Sequence, residues 1–433
     1  MKLRAVRGMK DILPEQCLRW QWLEAQFRQI VERYGYGEVR TPVLEATELF
    51  VKEIGEGTDV VDKEMYSFER HDDHLTVRPE GTAGAARAFV QGKVMNLQPI
   101  TRWYYIGPMF RAERPAKGRY RQFHQAGCEI YGDAGPLCDA ELIAMCVEIL
   151  AALGVEGTQV VVNSLGSGDI RARYRDALHA YLLPHAAALS EDSQRRLDTN
   201  PLRILDSKSQ ADQAVVAEAP SVLELLGEED AAHFDGLRRA LDALKVDYVV
   251  DPRLVRGLDY YTRTLFEVKT TSDELGAQST LIGGGRYDNM VQNLGHKTAV
   301  PAIGFAMGIE RILALTGETA PLPGPSCYFA PLSAEAQIRS LVLAQRLRAE
   351  GLSCEVDARG TSFKSMLRRA DSMNTRLCLL LGEDELAAGT ITVKDLLRRT
   401  QETVPQDRLL EAVDQALRQD AAQDAAPEAE KGG

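Results

Sequence analysis

The sequence lacks the features of membrane-spanning and secreted proteins. Its 433 residues contain no apolar run of about eighteen residues, the length that a transmembrane helix needs. The first residues, Met1-Lys2-Leu3-Arg4, lack the apolar stretch of a signal peptide. From these absences we expect a soluble, cytoplasmic protein without a membrane partner.

Cysteine is scarce and shows no metal-binding or redox pattern. The 7 cysteines are scattered, and no two have the Cys-x-x-Cys spacing. An odd number of scattered thiols favours reduced, mostly buried cysteines over disulfides or a zinc site.

An excess of positive charge is also lacking. Acidic residues outnumber basic ones by 63 to 51, which gives a net charge of −12, and the isoelectric point is near 5.3. This balance argues against bulk electrostatic binding of nucleic acid, although it leaves room for local basic patches.

The sequence has no glycine-rich nucleotide loop of a common type. The run Gly283-Gly284-Gly285 fits neither G-x-G-x-x-G nor a Walker A loop, so the usual dinucleotide and P-loop interpretations fail. Judged on the glycines alone, a tight turn is the favoured interpretation, and close approach of a ligand or strand is the alternative.

The length is too great for one hydrophobic core, so we expect two or three domains. Residues from about 169 to 245 are mainly helical and charged in pattern, which indicates an inserted helical module. Residues 316–325 have the composition of a linker. We therefore expect a domain over 1–322, a second over 323–419 and a disordered tail over 420–433.

The periodicity predicts several elements along these domains. Residues 15–34 form an amphipathic helix with Leu18, Trp22, Ala25, Ile30 and Tyr34 near helical spacing. Residues 248–251, 256–261 and 264–269 continue a sheet after the module. Beyond the linker, strands alternate with helices, which is typical of a small α/β domain with a mostly parallel sheet.

Two strand-like runs, Trp103–Arg111 and Arg121–Tyr131, predict a β-hairpin. Because strand side chains alternate, one face of the second run carries a cation, an aromatic ring, an amide and a carboxylate: Arg121, Phe123, Gln125 and Glu129. A solvated sheet face would show the same pattern. Gly127 in mid-strand and a connection longer than a tight turn favour a functional site.

The connection between these runs is a local basic patch. It contains Arg111, Arg114, Lys117, Arg119 and Arg121 against the single acid Glu113. A cationic segment in an acidic protein indicates an anion site.

Other candidates stand at helix starts and in the second domain. Glu80 and Thr82 precede a helix, where capping explains Thr82 well and Glu80 less well. Arg311 lies in a first helical turn, where a cation opposes the helix dipole and needs an anionic or aromatic partner, unless it is simply exposed. The second domain has its own basic stretch, for which a solvated helix face is the alternative: Arg359, Lys364, Arg368, Arg369 and Arg376.

These stretches together resemble the histidyl-tRNA synthetase family of bacterial type, which belongs to the class II aminoacyl-tRNA synthetases. The resemblance runs from Arg7 to about Val413. The three class II motifs correspond to the stretch around Pro42, the hairpin 104–131 and residues 304–313. Two further stretches, 256–261 and 283–288, resemble ones peculiar to the histidine enzymes.

The resemblance implies an α/β protein with an α+β catalytic domain. That domain would have an antiparallel sheet of six or seven strands flanked by helices, with the helical module inserted in it and a C-terminal α/β anticodon-binding domain after it. It also implies a homodimer formed through the first motif. The implied reaction uses ATP, with Mg²⁺, to convert L-histidine to histidyl-adenylate and then transfers the histidyl group to the 3′ end of tRNA(His).

The resemblance also assigns roles to residues. Arg111 and Arg256 would bear on the α-phosphate, and Phe123 and Arg311 would sandwich adenine, with Arg119 and Arg121 completing the ATP site. The histidine site would comprise Glu80, Gly81, Thr82, Gln125, Glu129, Tyr260 and Tyr261. The tRNA would meet Arg114, Lys117, Arg359, Lys364, Arg368 and Arg369. Ala116 departs from the glutamine found in many relatives at that loop position, and the ligands of Mg²⁺ are left unassigned.

A second interpretation is a catalytically inactive paralogue that serves as the regulatory subunit of ATP phosphoribosyltransferase and binds histidine as a signal. Such relatives usually lack the C-terminal domain and lose catalytic arginines, whereas Arg111, Arg256 and Arg311 are all present here. A plain acidic scaffold, the third interpretation, does not explain the two local basic patches.

Overall fold

The computed structural model describes residues 3–55, 58–275, 279–317, 324–360 and 362–421. The chain divides into two compact units, Met1–Gly317 and Glu318–Gly433. The predicted linker lies partly, and the predicted tail almost wholly, outside the described residues. Within the described part of the chain, no helix is long and apolar enough to cross a membrane.

The first unit is built on a large antiparallel sheet. Its strands, together with those of a small sheet near the N-terminus, are β1 (Gly37–Glu38), β2 (Leu44–Ala46), β3 (Tyr66–Arg70), β4 (Asp73–Val77), β5 (Thr101–Phe110), β6 (Gln122–Tyr131), β7 (Thr158–Ser164), β8 (Tyr248–Val250), β9 (Thr262–Thr270), β10 (Thr280–Arg286) and β11 (Ala302–Gly308).

The large sheet has the order β1-β5-β6-β11-β10-β9-β7-β8, and β2-β4-β3 form the small one. The six central strands of the large sheet pair antiparallel, while β1 and β8 pair parallel at its two edges. The expected antiparallel sheet flanked by helices is therefore confirmed, and the two parallel edge strands bring the number of strands to eight.

Helices flank this sheet. They are α1 (Pro14–Arg33), α2 (Thr47–Ile54), α3 (Thr82–Gln91), α4 (Pro136–Ala152), α5 (Ile170–Leu182), α6 (Glu191–Arg196), α7 (Gln210–Val216), α8 (Glu228–Ala243), α9 (Met290–Asn293) and α10 (Ile309–Leu315). The main core packs α1 and α4 against apolar residues of the sheet such as Cys128, Phe266 and Phe305. A separate cluster around Tyr174, Leu178 and Ile204 forms a core within the helical module.

The buried face of α1 differs from the prediction. The helix buries Leu23, Phe27, Ile30 and Val31, whereas Leu18 and Ala25 are exposed. Apolar residues occur on more than one side of this helix, so spacing alone did not identify the stripe that meets the sheet.

Two predictions about the sheet were wrong. Residues 256–261 form a loop between β8 and β9, not a strand. The three glycines lie inside β10 and not in a turn, because β9 and β11 pair with β10 on both sides. A side chain at Gly284 would lie 2.3 Å from the carbonyl oxygen of Gly304, so close packing of strands explains this glycine.

The second unit has a five-stranded sheet of order β13-β12-β14-β15-β16. Its elements are β12 (Cys327–Pro331), α11 (Ala334–Ala349), β13 (Cys354–Val356), α12 (Phe363–Ser372), β14 (Leu377–Leu381), α13 (Glu383–Ala388), β15 (Thr390–Asp395), β16 (Thr400–Pro405) and α14 (Leu409–Ala421). The prediction of a mostly parallel sheet was wrong: β12 pairs parallel with β13 and β14, but β15 pairs antiparallel with β14 and β16. The polar strand β16 carried too little apolar signal to be predicted.

Candidate active site

Two cavities lie side by side on one face of the large sheet. The larger measures about 260 Å³ and the smaller about 50 Å³. Both are lined by Arg111, Gln125, Arg256, Gly283 and Ala306. A ligand in one cavity can therefore meet a ligand in the other at two arginines.

The larger cavity is cationic. Arg111, Arg119, Arg256 and Arg311 line it, with the acids Glu113 and Glu310. Burial and the neighbouring Arg119 lower the pKa of Arg311, with Arg111 and Arg256 adding to the effect. Mutual repulsion of this kind favours an anionic ligand, which would offset the crowded positive charge.

Backbone carbonyl groups fix the guanidinium groups in this cavity. Arg111 Nε donates to the Pro79 carbonyl at 2.9 Å, and the Arg111 Cζ atom lies 5.3 Å from the centre of the Phe123 ring. Arg311 donates to the carbonyls of Gly118 and Thr280 at 3.1 and 2.8 Å. An aromatic ring beside fixed cations suits a ligand with both a flat base and phosphate groups.

The loop 256–261 brings its side chains to both cavities. Arg256 forms an ion pair with Glu267 on β9, and a Cβ atom at Gly283 would lie 2.4 Å from the Arg256 guanidinium. Burial by itself would lower the pKa of Arg256, but Glu267 outweighs burial and raises it. Gly283 thus gives this arginine room to lie flat on β10.

Glu129 lies buried behind the smaller cavity and is not among its lining residues. Its carboxylate accepts hydrogen bonds from Thr82 Oγ1 at 2.8 Å, from the Tyr105 hydroxyl at 3.2 Å and from the Tyr287 hydroxyl. Burial raises the pKa of Glu129 to about 8, although the hydroxyl donors act in the opposite direction.

Glycines provide the space around this carboxylate. Tyr105 pairs with Gly127 across β5 and β6, and a Cβ atom at Gly127 would lie 2.5 Å from the Tyr105 hydroxyl oxygen. A Cβ atom at Gly304 would lie 1.7 Å from Glu129 Oε2. Gly127 therefore does mark a close approach, as expected, but the group that approaches is Tyr105.

The start of α3 reverses the expected division of roles. Glu80 accepts from the backbone N–H groups of Thr82 and Ala83 at 2.7 and 2.8 Å, so Glu80 and not Thr82 caps the helix. Gly81 is required because a Cβ atom there would lie 2.3 Å from the Tyr105 ring. Glu80 and Thr82 both line the smaller cavity.

Most of the expected site residues meet here, but some lie elsewhere. Tyr260 and Tyr261 line the smaller cavity, with ring centres 4.5 Å apart. Arg121 is not among the residues that line either cavity; its Nε donates to the Glu113 carbonyl at 3.3 Å. Arg114 and Lys117 are exposed on the hairpin connection.

The candidate tRNA residues of the second unit differ in their partners. Arg359 pairs with Asp357 at 3.1 Å and Arg369 with Glu355 at 3.2 Å. Lys364 and Arg368, one turn apart on α12, are exposed.

Sequence reasoning missed Tyr105 and Tyr287, which hold Glu129. Tyr287 lies in the stretch 283–288, where the three glycines dominate the pattern. Tyr105 could have been found from Gly127, since an absent side chain in a hairpin makes room for its cross-strand neighbour.

Comparisons with known proteins agree over both units. A family model described as Histidyl-tRNA synthetase matches residues 8–312, and one described as Anticodon binding domain matches residues 326–416. A histidine–tRNA ligase of Sorangium cellulosum (strain So ce56) is 60% identical over 420 residues, which cover 95% of this chain and 98% of that protein.

Solved structures give the same result. The crystal structure of apo S. aureus histidyl-tRNA synthetase matches with a TM-score of 0.80 at 33% identity and covers 95% of this chain and 100% of that one. A Bacillus halodurans C protein described as an ATP phosphoribosyltransferase regulatory subunit/histidyl-tRNA synthetase matches with a TM-score of 0.62 at 24% identity, over 87% of this chain and 96% of that one. At that identity the second match shows a shared fold alone.

Proposed function

The chain belongs to the histidyl-tRNA synthetase family, and on that premise we propose which residues carry out the reaction of a histidine–tRNA ligase. The substrates of that reaction are ATP, L-histidine and tRNA. In the first step, a carboxylate oxygen of histidine attacks the α-phosphorus of ATP, and the bond from that phosphorus to pyrophosphate breaks. In the second, the histidyl group passes from the adenylate to the terminal ribose of tRNA(His).

The observation that carries the assignment of roles is the sharing of Arg111 and Arg256 by both cavities. We propose that ATP occupies the larger cavity and histidine the smaller. The reacting carboxylate and α-phosphate then meet between two guanidinium groups. Negative charge grows on the phosphoryl oxygens during the attack, so fixed cations and positioning supply most of the catalysis.

The smaller cavity fits the polar groups of an amino acid. Gln125 Oε1 is buried and has no hydrogen-bond partner among the described residues, so it is available to the histidine ammonium group, together with Glu80 and Thr82. Tyr261 and Glu129 would read the two ring nitrogens of the imidazole. Glu129 lies behind the cavity, and the hydroxyl groups of Tyr105 and Tyr287 hold its carboxyl group in place.

In the larger cavity, we propose that adenine stacks between Phe123 and Arg311 and that Arg119 faces the phosphates. We propose that Mg²⁺ arrives bound to ATP as part of the substrate, because Mg²⁺ in such sites takes phosphate oxygens, water and one or two carboxylates. Glu113 and Glu310 are the acids that line this cavity: Glu113 pairs with Arg119 at 3.2 Å, and Glu310 accepts hydrogen bonds from His124. Among the described residues, no cluster of three or more His, Cys, Asp or Glu side chains could hold a metal ion alone.

We propose domain limits of 1–322 for catalysis, with the insertion over about 169–245, and 323–419 for the anticodon. Arg114 and Lys117 would contact the acceptor end of tRNA(His), and the exposed pair Lys364 and Arg368 would contact the anticodon arm, with Arg359 and Arg369 beside them. We propose that the reaction takes place in the cytoplasm, because the seven cysteines are all free thiols, as is usual in that reducing compartment. Cell fractionation can test this proposal.

We also propose a homodimer formed through the region of β2. This small sheet leaves apolar side chains in solvent: Val43, Leu44 and Phe68 are 40%, 45% and 45% exposed. Apolar groups exposed together indicate an interaction surface. Sedimentation at enzyme concentrations should give twice the mass of 47.8 kDa, and a monomer would contradict the proposal.

The test of the assigned roles is ATP–pyrophosphate exchange by single-residue variants. Arg111→Ala and Arg256→Ala should each lower the histidine-dependent exchange rate by roughly 10² or more, because each removes transition-state charge stabilisation. Arg253→Ala, which removes an exposed arginine from the same stretch, should exchange at the wild-type rate. Unchanged exchange in the first two variants would refute the assignment.

A further inference from the structure

Glu310, one of the acids that line the larger cavity, pairs with His124, which lines neither cavity. The backbone N–H of His124 donates to both carboxylate oxygens of Glu310, at 2.9 and 3.0 Å. The ring Nδ1 of His124 also lies 3.0 Å from Glu310 Oε1. The rings of Trp20 and His124 make an edge-to-face contact, with ring centres 4.7 Å apart.

The pair forms where a strand changes into a helix. β11 pairs with β6 as far as Gly308, which lies opposite Gln125, and α10 begins at the next residue. Beyond that point His124 donates its N–H to a side chain instead of a neighbouring strand. Glu310 thus satisfies a backbone donor that the end of β11 would leave without a partner.

The next residue, Arg311, points its guanidinium group into the larger cavity. It is held there by the carbonyls of Gly118 and Thr280, against repulsion from three other arginines that line the same space. α10 has only 7 residues, and so short a helix takes its orientation from tertiary contacts. The bond from Glu310 to β6 fixes the first turn of this helix.

We propose that His124 and Glu310 are positioning residues that set Arg311 against the adenine of ATP. The inference rests on the proposed function, because it assumes that the larger cavity binds ATP. His124 lines neither cavity, so it acts on the nucleotide site through Glu310 and Arg311. The histidine ring fixes the rotation of the carboxylate, which a single backbone N–H would leave free to turn.

The test measures binding of ATP to the full-length chain by titration calorimetry, without histidine or tRNA. His124→Ala should weaken ATP binding about tenfold, since it removes one charge-assisted hydrogen bond but keeps the backbone N–H. His124→Asn should restore most of the affinity, because its side-chain amide nitrogen can occupy the place of Nδ1. His179→Ala is the matched control: this histidine makes a similar contact with Asp198, at 3.0 Å, on the helical module, and its removal should change nothing.

A double-mutant cycle separates positioning from a general structural role. In an Arg311→Ala background, adding His124→Ala should cause no further loss of ATP affinity, because the residue through which the pair acts is already gone. Equal losses in both backgrounds, or no loss in either, would overturn the inference. Thermal melting of each variant shows whether a loss reflects unfolding.

ATP binding and pyrophosphate exchange by the wild-type chain show whether the role of the pair or the proposed activity has failed. A wild-type chain that binds ATP but catalyses no exchange would refute the proposed activity, while the cycle would still decide the role of the pair. A wild-type chain that does not bind ATP would overturn both.

Discussion

Glu129 shows at the residue scale how a neighbourhood changes the chemistry of a side chain. Alternation along the strand placed it correctly on the face shared with Phe123 and Gln125. The sequence could not reveal that three hydroxyl groups from β5, α3 and the end of β10 would converge on it, because those contacts join residues far apart in the chain. The capping role of Glu80 has a different origin: its contacts with Thr82 and Ala83 are local, but they depend on how the chain enters α3.

A carboxyl group whose pKa is near 8 is mostly protonated at neutral pH. If the ionised form accepts from the imidazole N–H, kcat/KM for histidine should rise with pH and level off above about 8. Glu129→Gln should abolish this rise. The substrate histidine also titrates, and its contribution remains in the pH profiles of both the wild type and the variant. Other ionisable groups nearby are Glu80, Tyr105, Cys128, Tyr131, Tyr260, Tyr261 and Tyr287.

Removal of either hydrogen-bonding group from the imidazole site should also lower catalytic efficiency for histidine. Glu129→Gln and Tyr261→Phe should each lower kcat/KM for histidine by about 1–3 kcal/mol, with the KM for ATP little changed, because only hydrogen bonds to the imidazole ring are removed. A Glu129→Gln profile that still rises towards pH 8, like that of the wild type, would contradict the account. A weakening of ATP binding as large as that of histidine binding would contradict it as well.

At the scale of elements, β10 and the loop 256–261 work as one unit. The strand carries three glycines, and the guanidinium of Arg256 from the loop occupies the space that a side chain at the first of them would take. Glycine runs are ambiguous in a sequence, since turns and tightly packed strands both use them. Only the pairing of β10 with two neighbours resolves that ambiguity.

This arrangement predicts a variant that loses activity without losing stability. In Gly283→Ala, the three atoms nearest to the new methyl group would all belong to the guanidinium of Arg256, so the fold should adjust by displacing that guanidinium. The exchange rate should fall at least about tenfold, while the melting temperature stays within a few degrees of wild type.

The control is Gly37→Ala in β1, where a Cβ atom would meet nothing within 4 Å. Its exchange rate should match that of the wild type. Full activity in Gly283→Ala would show that the position of Arg256 is not critical.

At the scale of the whole molecule, local periodicity predicted most helices and the hairpin, since both depend on neighbours in sequence. The order of the eight-stranded sheet was not accessible, because β6 pairs with β11 and β7 with β9 across more than a hundred residues. In the second unit, the antiparallel pairing of β15 joins strands that are close in sequence, but an alternation of strands and helices does not fix the direction of a strand. The resemblance to a family supplied what periodicity could not, including the antiparallel sheet and the role that we propose for Arg256.

We propose that the two units divide the work between amino-acid activation and tRNA binding, and that division is testable in the full chain. The double variant Lys364→Ala/Arg368→Ala should raise the KM for tRNA and leave histidine-dependent exchange unchanged. Its tRNA affinity should also depend less steeply on salt, by roughly one unit of slope for each phosphate that the variant no longer neutralises.

Arg346→Ala, an exposed arginine on α11 of the same unit, is the matched control and should behave like the wild type. Normal charging kinetics in the double variant would exclude α12 from the tRNA interface.

If both cavities act together to activate histidine, pyrophosphate exchange into ATP by the full-length chain, without tRNA, measures that step directly. Exchange should require histidine and should not be supported by other amino acids. Binding of histidine without any exchange, the behaviour of a regulatory paralogue, would contradict this expectation.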